Sequence, residues 1–203
     1  LIQNEVNRSF SYANNQAVEI AKGSYLLFLN NDMEVCPGWL NHLMDTALSD
    51  SNIAAVGSKL IYPDASSSVY NTEKSYTIQH AGIVFNQKDG YVRPYNKDNG
   101  MPYEFEDNTP KERVAVTAAT LLVEKSKYME VGGFDNEYEY GFEDVDLCLK
   151  LYRKGYKNYY NPKSVLFHYE FGTQESNEQD IVRNRRIRNK EVFTKKWNKK
   201  KKK

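Results

Sequence analysis

Only two of the 203 residues are cysteine, Cys36 and Cys148, and their spacing matches no metal-binding or redox motif. Cys148 falls on the apolar face of a candidate helix and reads as a core thiol in a reducing compartment, which points to the cytoplasm. No apolar run approaches transmembrane length. Neither charge sign dominates: 28 Lys and Arg stand against 27 Asp and Glu, a net charge of +1. The chain therefore carries no general field for polyanions, and nucleic acid is not an expected partner. A basic, glycine-rich triphosphate loop near the start, which a nucleotidyltransferase would want, is also missing. Aromatic residues, in contrast, make up 13% of the chain, with 16 Tyr against 9 Phe. Polar-tipped rings suit sugar-binding clefts, and equally the half-buried edges of a core.

The length suits one domain or slightly more. Ser11 to Lys22 reads as a helix stopped at Gly23, with Ala13, Ala17, Val18, Ile20 and Ala21 facing a sheet. Pro37-Gly38-Trp39-Leu40 opens a second helix running to about Ser49. Strands are expected over Ile53 to Tyr62, over Gln79 to Phe85 and over Val114 to Val123, the last with small middle residues that leave room for a ligand. Pro63 to Tyr76 reads as a loop. Asn86 to Pro110, rich in Gly, Pro and charge, reads as an excursion over the mouth of a site. A helix from about Glu178 carries Ile181, Val182, Ile187, Val192, Phe193 and Trp197 and runs into five lysines, Lys199 to Lys203. A basic segment with Trp could lie on an anionic membrane surface; a solvated, frayed end is the plainer reading.

Two acidic groups carry the chemistry. Tyr25-Leu26-Leu27-Phe28-Leu29 has no polar member, as expected of a strand buried on both faces in a parallel sheet. Asn30-Asn31-Asp32 follows directly, at the strand end where open α/β sheets bind ligands. A carboxylate there suits a hard divalent cation, which commonly holds phosphates; the triplet alone also reads as a turn. The second group comes after the loop Gly132 to Gly141, where Glu143, Asp144 and Asp146 occupy the first turn of a helix reaching about Lys154. Three acids there would simply complement the helix dipole. That does not explain why a loop rich in glycine and aromatics delivers them. With Asp144 facing Asp32, the crevice would hold one metal-binding carboxylate and one free base. Group transfer from an activated phosphate leaving group needs those two roles.

At these residues the chain resembles the family 2 glycosyltransferases of GT-A fold. The matching segments are Tyr25 to Val35, Gly132-Gly133-Phe134-Asp135 with Gly141 to Leu147, and Asn161-Pro162, Val165 to His168 and Gly172-Thr173, in that order. The resemblance implies an α/β fold with a mixed, mainly parallel sheet flanked by helices. It implies inverting transfer of a sugar from a nucleotide-diphosphate donor to a hydroxyl of a glycan or lipid-linked acceptor, in polysaccharide or glycan biosynthesis. It also implies Mg²⁺ or Mn²⁺ on the diphosphate, and a cytoplasmic or membrane-peripheral enzyme. Carried over by residue, Asp32 is the last acid of the family's metal motif, with Asn30 standing where many members have Asp and Asn31 between them. Asp144 matches the general base, and Glu143 helps shape the acceptor site. His168 matches a further metal ligand of some members, and by itself also reads as the end of the strand Ser164 to Phe167. Thr117 and Ala119 border the acceptor site. His80 matches a His-Ala-Gly element with a structural role.

The resemblance has one departure. The strand–helix–strand unit that normally precedes the metal motif and recognises the nucleotide base is not seen before Asp32, so a fragment of a longer enzyme is expected. Residues 1–177 then read as a partial catalytic core and 178–203 as a basic helix and tail. The alternative from another class is a non-catalytic glycan- or nucleotide-binding relic of the same fold. Convergence of Asp32, Asp144 and His168 on one crevice separates the two readings.

Overall fold

The computed structural model describes residues 1–63, 76–88, 91–105, 107–169 and 179–197. Gly172-Thr173, most of the loop expected from Pro63 to Tyr76, and Lys199 to Lys203 lie outside them. The first helix, α1 (Phe10–Ile20), starts one residue earlier than expected because Ser9 caps it, its hydroxyl accepting from the Tyr12 amide at 3.2 Å. Then follow β1 (Tyr25–Leu29), β2 (Met33–Val35), α2 (Trp39–Ser49) and β3 (Ile53–Ile61). Next come β4 (Ile78–His80), β5 (Ile83–Lys88), β6 (Tyr91–Asn96), β7 (Lys111–Arg113) and β8 (Thr120–Glu124). The chain continues through α3 (Lys125–Glu130), α4 (Glu143–Arg153), β9 (Lys157–His168) and α5 (Gln179–Trp197).

The fold is α/β, with a mixed central sheet between helices. Among the described residues the sheet has seven strands in the order β1-β8-β3-β9-β2, with β4 beside β3 and β7 beside β9. Its parallel character lies in β3 and β9, paired from Ile53–Lys157 to Ile61–Phe167; the other described pairings in it are antiparallel. Alternation along β8 divides the core. Leu121 and Val123 join Leu26, Phe28, Tyr128, Phe134 and Leu147 on one side, and Leu122 joins Leu43, Ala47 and Val56 under α2 on the other. Pro162 is accommodated in β9 because the register jumps from Asn161 to Val165 opposite Ser58 and Lys59, which leaves the proline in a bulge.

Three expectations need correction. β1 is not buried on both faces: Leu26 and Phe28 face the core, whereas Leu27 and Leu29 are 37% and 43% exposed. Among the described residues it sits at the end of the strand order and pairs, antiparallel, with β8 alone, which leaves its other flank without a described partner. The strand expected over Gln79 to Phe85 is two strands, broken at Gly82. That glycine has φ +94°, and a Cβ on it would lie 2.5 Å from the Arg113 side chain. Finally, only Thr120 to Glu124 of the segment Val114 to Val123 is strand. The amides of Thr117, Ala118 and Ala119 are given to side chains instead of a ladder. Asn86 to Pro110 is largely ordered, as the hairpin β5–β6 and a 3₁₀ turn at Tyr103–Phe105.

Candidate active site

Asp32 lies one turn beyond β1. The Asn30 amide donates to the Ala119 carbonyl at 2.9 Å and so adds a rung to the β1–β8 pairing. The chain then turns into β2, which pairs with the end of β9 so that Met33 stands opposite His168. The Tyr169 amide donates to the Asp32 carbonyl at 3.0 Å. This register sets His168 Nε2 3.4 Å from Asp32 Oδ1. That carboxylate oxygen is buried and, among the described residues, has no hydrogen-bond partner. The other imidazole nitrogen, Nδ1, is 2.6 Å from Gln79 Oε1. With Gln79 as acceptor, Nδ1 carries a proton, and in the neutral ring Nε2 would then turn a lone pair toward the carboxylate. Two acceptors facing each other ask for a cation between them, and a histidine whose far nitrogen is held by an amide is the usual form of a metal-ligating imidazole. Among the described residues no three His, Cys, Asp or Glu side chains gather around one point. The pair therefore fits an ion that takes its remaining ligands from phosphate and water, as Mg²⁺ and Mn²⁺ do with nucleotides.

The acidic pair stands at the start of α4. Gly141 and Phe142 both have positive φ, +83° and +73°, an unusual conformation for phenylalanine that turns the loop sharply into the helix. Asp144 is half-buried among donors. Its Oδ1 accepts from the Val145 amide at 2.7 Å and its Oδ2 from the Ala118 amide at 3.2 Å, and the Thr117 hydroxyl binds it too. Burial still outweighs these bonds and raises its pKa. Glu143 is raised too, to about 8, first by burial and then by the Asp144 charge; among the described residues its buried Oε2 has no partner. The two carboxyls titrate as a pair. Asp144, surrounded by N–H groups, is the one to ionise first, and Glu143 keeps the second proton near neutrality.

The segment 117–119 joins the two halves. Its Ala119 carbonyl holds Asn30, its Ala118 amide holds Asp144, and the Ala119 amide folds back on the Thr117 hydroxyl at 3.3 Å. β4 clamps the same halves with neighbouring side chains: Gln79 holds His168, and His80 Nε2 accepts from the Thr117 amide at 3.3 Å. Because Nε2 accepts, His80 donates through Nδ1 to Asn96 Oδ1, 3.0 Å away. Burial keeps this ring neutral by lowering its pKa to about 4.

The structure thus sets Asp32 against His168 and Glu143-Asp144 against Thr117-Ala118, with Ala119 between the two groups. Asn30 is fixed through its backbone, and Asn31 is exposed. Sequence reasoning missed Gln79 as a site residue; the available signal was a Gln-His pair in a short strand, both members buried. It gave Asp146 no role beyond its place in the first turn of α4. Asp146 has no exposed surface and binds the end of α5: Trp197 Nε1 donates to it at 2.7 Å and Lys196 Nζ lies 2.8 Å away. A concavity of about 370 Å³ opens beside the N-terminus of α4, lined by Ile83, Pro94, Tyr95, Phe142 and Arg186 among others. A larger one of about 770 Å³ lies at the Tyr25 end of β1 around Ser24, Leu48 and Lys125, and holds none of these site residues.

Residues 1–109 match the model of glycosyl transferase family 2, a span that includes Asn30-Asn31-Asp32. The chain is 30% identical over 168 residues to the O-antigen biosynthesis protein RfbC of Myxococcus xanthus, covering 80% of this chain and 12% of that one. It is 27% identical over 172 residues to the N-acetylglucosaminyl-diphospho-decaprenol L-rhamnosyltransferase of Mycobacterium tuberculosis, covering 81% of this chain and 54% of that one. The chain thus spans little more than half the length of one of these relatives and far less of the other. Its fold is similar to that of GalNAc-T7 crystallised with UDP, GalNAc and Mn²⁺, with a TM-score of 0.61 and 18% identity over 82% of this chain and 31% of that one. On the family match, this chain belongs to glycosyltransferase family 2.

Proposed function

We propose that the chain is the catalytic part of an inverting glycosyltransferase that moves a sugar from a nucleotide-diphosphate donor to a hydroxyl of a glycan or lipid-linked acceptor. The observation that carries this reading is the convergence of Asp32, His168 and Asp144 through segment 117–119 and the Gln79-His80 clamp. A relic that only bound glycans would have no use for both an unpartnered carboxylate and a half-buried base. Asp32 and His168 would hold Mg²⁺ or Mn²⁺, which supplies charge neutralisation for the departing diphosphate. Asp144 takes the acceptor hydroxyl's proton as the new bond forms at the anomeric carbon and the bond to phosphate breaks. One base is enough for inversion at that carbon. Glu143, protonated near neutrality, can donate a hydrogen bond to a sugar hydroxyl beside Asp144. The aromatic concavity at the start of α4 suits the acceptor, since Tyr95 and Phe142 offer ring faces to a pyranose.

Residues 1–177 act here as the core, and α5 belongs to 178–203. No helix among the described residues is long and apolar enough to cross a membrane. A contact with an anionic membrane surface on the cytoplasmic side would fall to Lys195 and the lysines after it. Lys196 and Trp197 are already engaged by Asp146.

Asp32→Ala is expected to remove the Mn²⁺-dependent part of nucleoside diphosphate binding, and with it transfer. Calorimetry with UDP and GDP, with and without Mn²⁺, checks this in the full-length protein. Equal Mn²⁺-dependent binding by wild type and variant would take Asp32 out of the metal site.

A further inference from the structure

The acidic loop does not hold its own shape. Each residue from Tyr138 to Phe142 is touched by α5. The Lys196 ammonium lies 5.9 Å from the Tyr138 ring centroid, and Arg188 Nη1 bonds Glu139 Oε1 at 2.6 Å. The Arg186 guanidinium lies over the Tyr140 ring at 5.1 Å, and Phe193 packs on Phe142 with centroids 5.1 Å apart. Asn189 is fully buried, and both ends of its amide go to loop backbone: Oδ1 accepts from the Glu139 amide at 3.1 Å, and Nδ2 donates to the Gly141 carbonyl at 2.8 Å. The far end of the helix is pinned beneath α4. Lys196 Nζ bridges Asp135 Oδ2 at 2.6 Å and Asp146 Oδ1 at 2.8 Å, Trp197 Nε1 holds Asp146, and the Arg153 guanidinium covers the Trp197 ring at 4.1 Å.

We propose that α5 is a splint for the acidic loop and that Asn189 is its positioning residue. Resting on the transferase reading above, this makes α5 a working part of the acceptor side of the site and not a tail. Two successive positive-φ residues, Gly141 and Phe142, aim Glu143 and Asp144, and such a backbone persists only where its surroundings fix it. Within α5 the amide of Asn189 is the group that reads the loop's main chain at both ends of this turn. A polar side chain buried on a helix face shared with Val192, Phe193 and Trp197 is there for its two hydrogen bonds.

The test uses Asn189→Ala and, at the other anchor, Trp197→Phe, which keeps an aromatic ring and removes the N–H bonded to Asp146. Hydrogen exchange on the full protein is expected to lose protection at the amides of 139–142 in Asn189→Ala, with β3 and β8 unchanged. Trp197→Phe should show a smaller loss at the same amides. Where transfer is assayed, Asn189→Ala should lower kcat by roughly tenfold or more with the donor KM unchanged, because a base displaced by about an ångström loses its alignment. Unchanged protection at 139–142 in both variants overturns the splint, whatever the activity. Lost protection with full turnover overturns the positioning role. Should the wild type transfer no sugar, the transferase reading fails, and the exchange experiment still decides the splint.

Discussion

Asp144→Asn is expected to keep donor binding and lose roughly a hundredfold or more of turnover, the scale on which a positioned general base contributes. The carboxylate occupies a site made for an acceptor, with the Val145 and Ala118 amides each pointing at one oxygen. An asparagine accepts at one of these and sets its NH₂ against the other, so it loses basicity and gains a local conflict of about 1–3 kcal/mol. The substitution leaves Asp32 and His168, the proposed donor side, untouched. Glu143→Gln is the internal control, because the amide copies the protonated acid that Glu143 remains up to about pH 8. It should change turnover at neutral pH far less. The pH profile follows with a definite sign: Asp144 works ionised and its pKa is raised, so turnover should fall as pH drops, beginning above the range of an ordinary aspartate. Steady-state kinetics beside calorimetry with the donor nucleotide reads all of this. Near-normal turnover in Asp144→Asn would move the base to Glu143.

The largest effect on stability is expected at Asp146. Asp146→Ala should cost about 3–5 kcal/mol, as removing one partner of a buried ion pair does. The carboxylate is fully buried and serves four donors: Lys196 at 2.8 Å, Trp197 Nε1 at 2.7 Å, the Tyr138 hydroxyl at 3.3 Å and Lys150 at 3.5 Å. Without it the Trp197 N–H and the Tyr138 O–H are stranded, and two ammonium groups face each other across a void. The lower end of the range is the better expectation, since Lys196 keeps Asp135 and Lys150 keeps the Gly133 carbonyl. Urea denaturation of wild type and variant measures the difference. A loss below about 1 kcal/mol would return Asp146 to the role of a helix-dipole charge.

That residue also shows where sequence reading stops. Asp32 and Asp144 are legible because their positions are local facts: one follows an apolar run, the other a glycine-rich turn into an amphipathic helix. Helices α1 and α2 are legible for the same reason, through Gly23 after the first, Pro37 before the second and their apolar spacing. Asp146 carries the same local signature as Asp144, and only its contact with a helix about fifty residues downstream separates the two roles. Asn189 is likewise inconspicuous on a polar, basic helix until the loop backbone it grips is in place. Val114 to Ala119 looks like strand by composition. Its later amides, from Thr117 to Ala119, are claimed by the side chains of His80, Asp144 and Thr117, two of which no periodicity within the segment can reveal. β1 misleads in the opposite direction: five apolar residues suggest burial on both faces, whereas the topology leaves Leu27 and Leu29 exposed at an edge. Propensity is a weak prior wherever such tertiary contacts decide.

On the function proposed above, His168 Nε2 and Asp32 Oδ1 would together seat the cation that serves the donor. Anomalous diffraction from crystals grown with Mn²⁺ and a nucleoside diphosphate tests it most directly. The account predicts a single strong manganese peak shared by Asp32 Oδ1, His168 Nε2 and the diphosphate, with Gln79 still on His168 Nδ1. An ordered diphosphate whose manganese lies elsewhere, or which binds with Asp32 and His168 closed on each other and no metal between them, would contradict it.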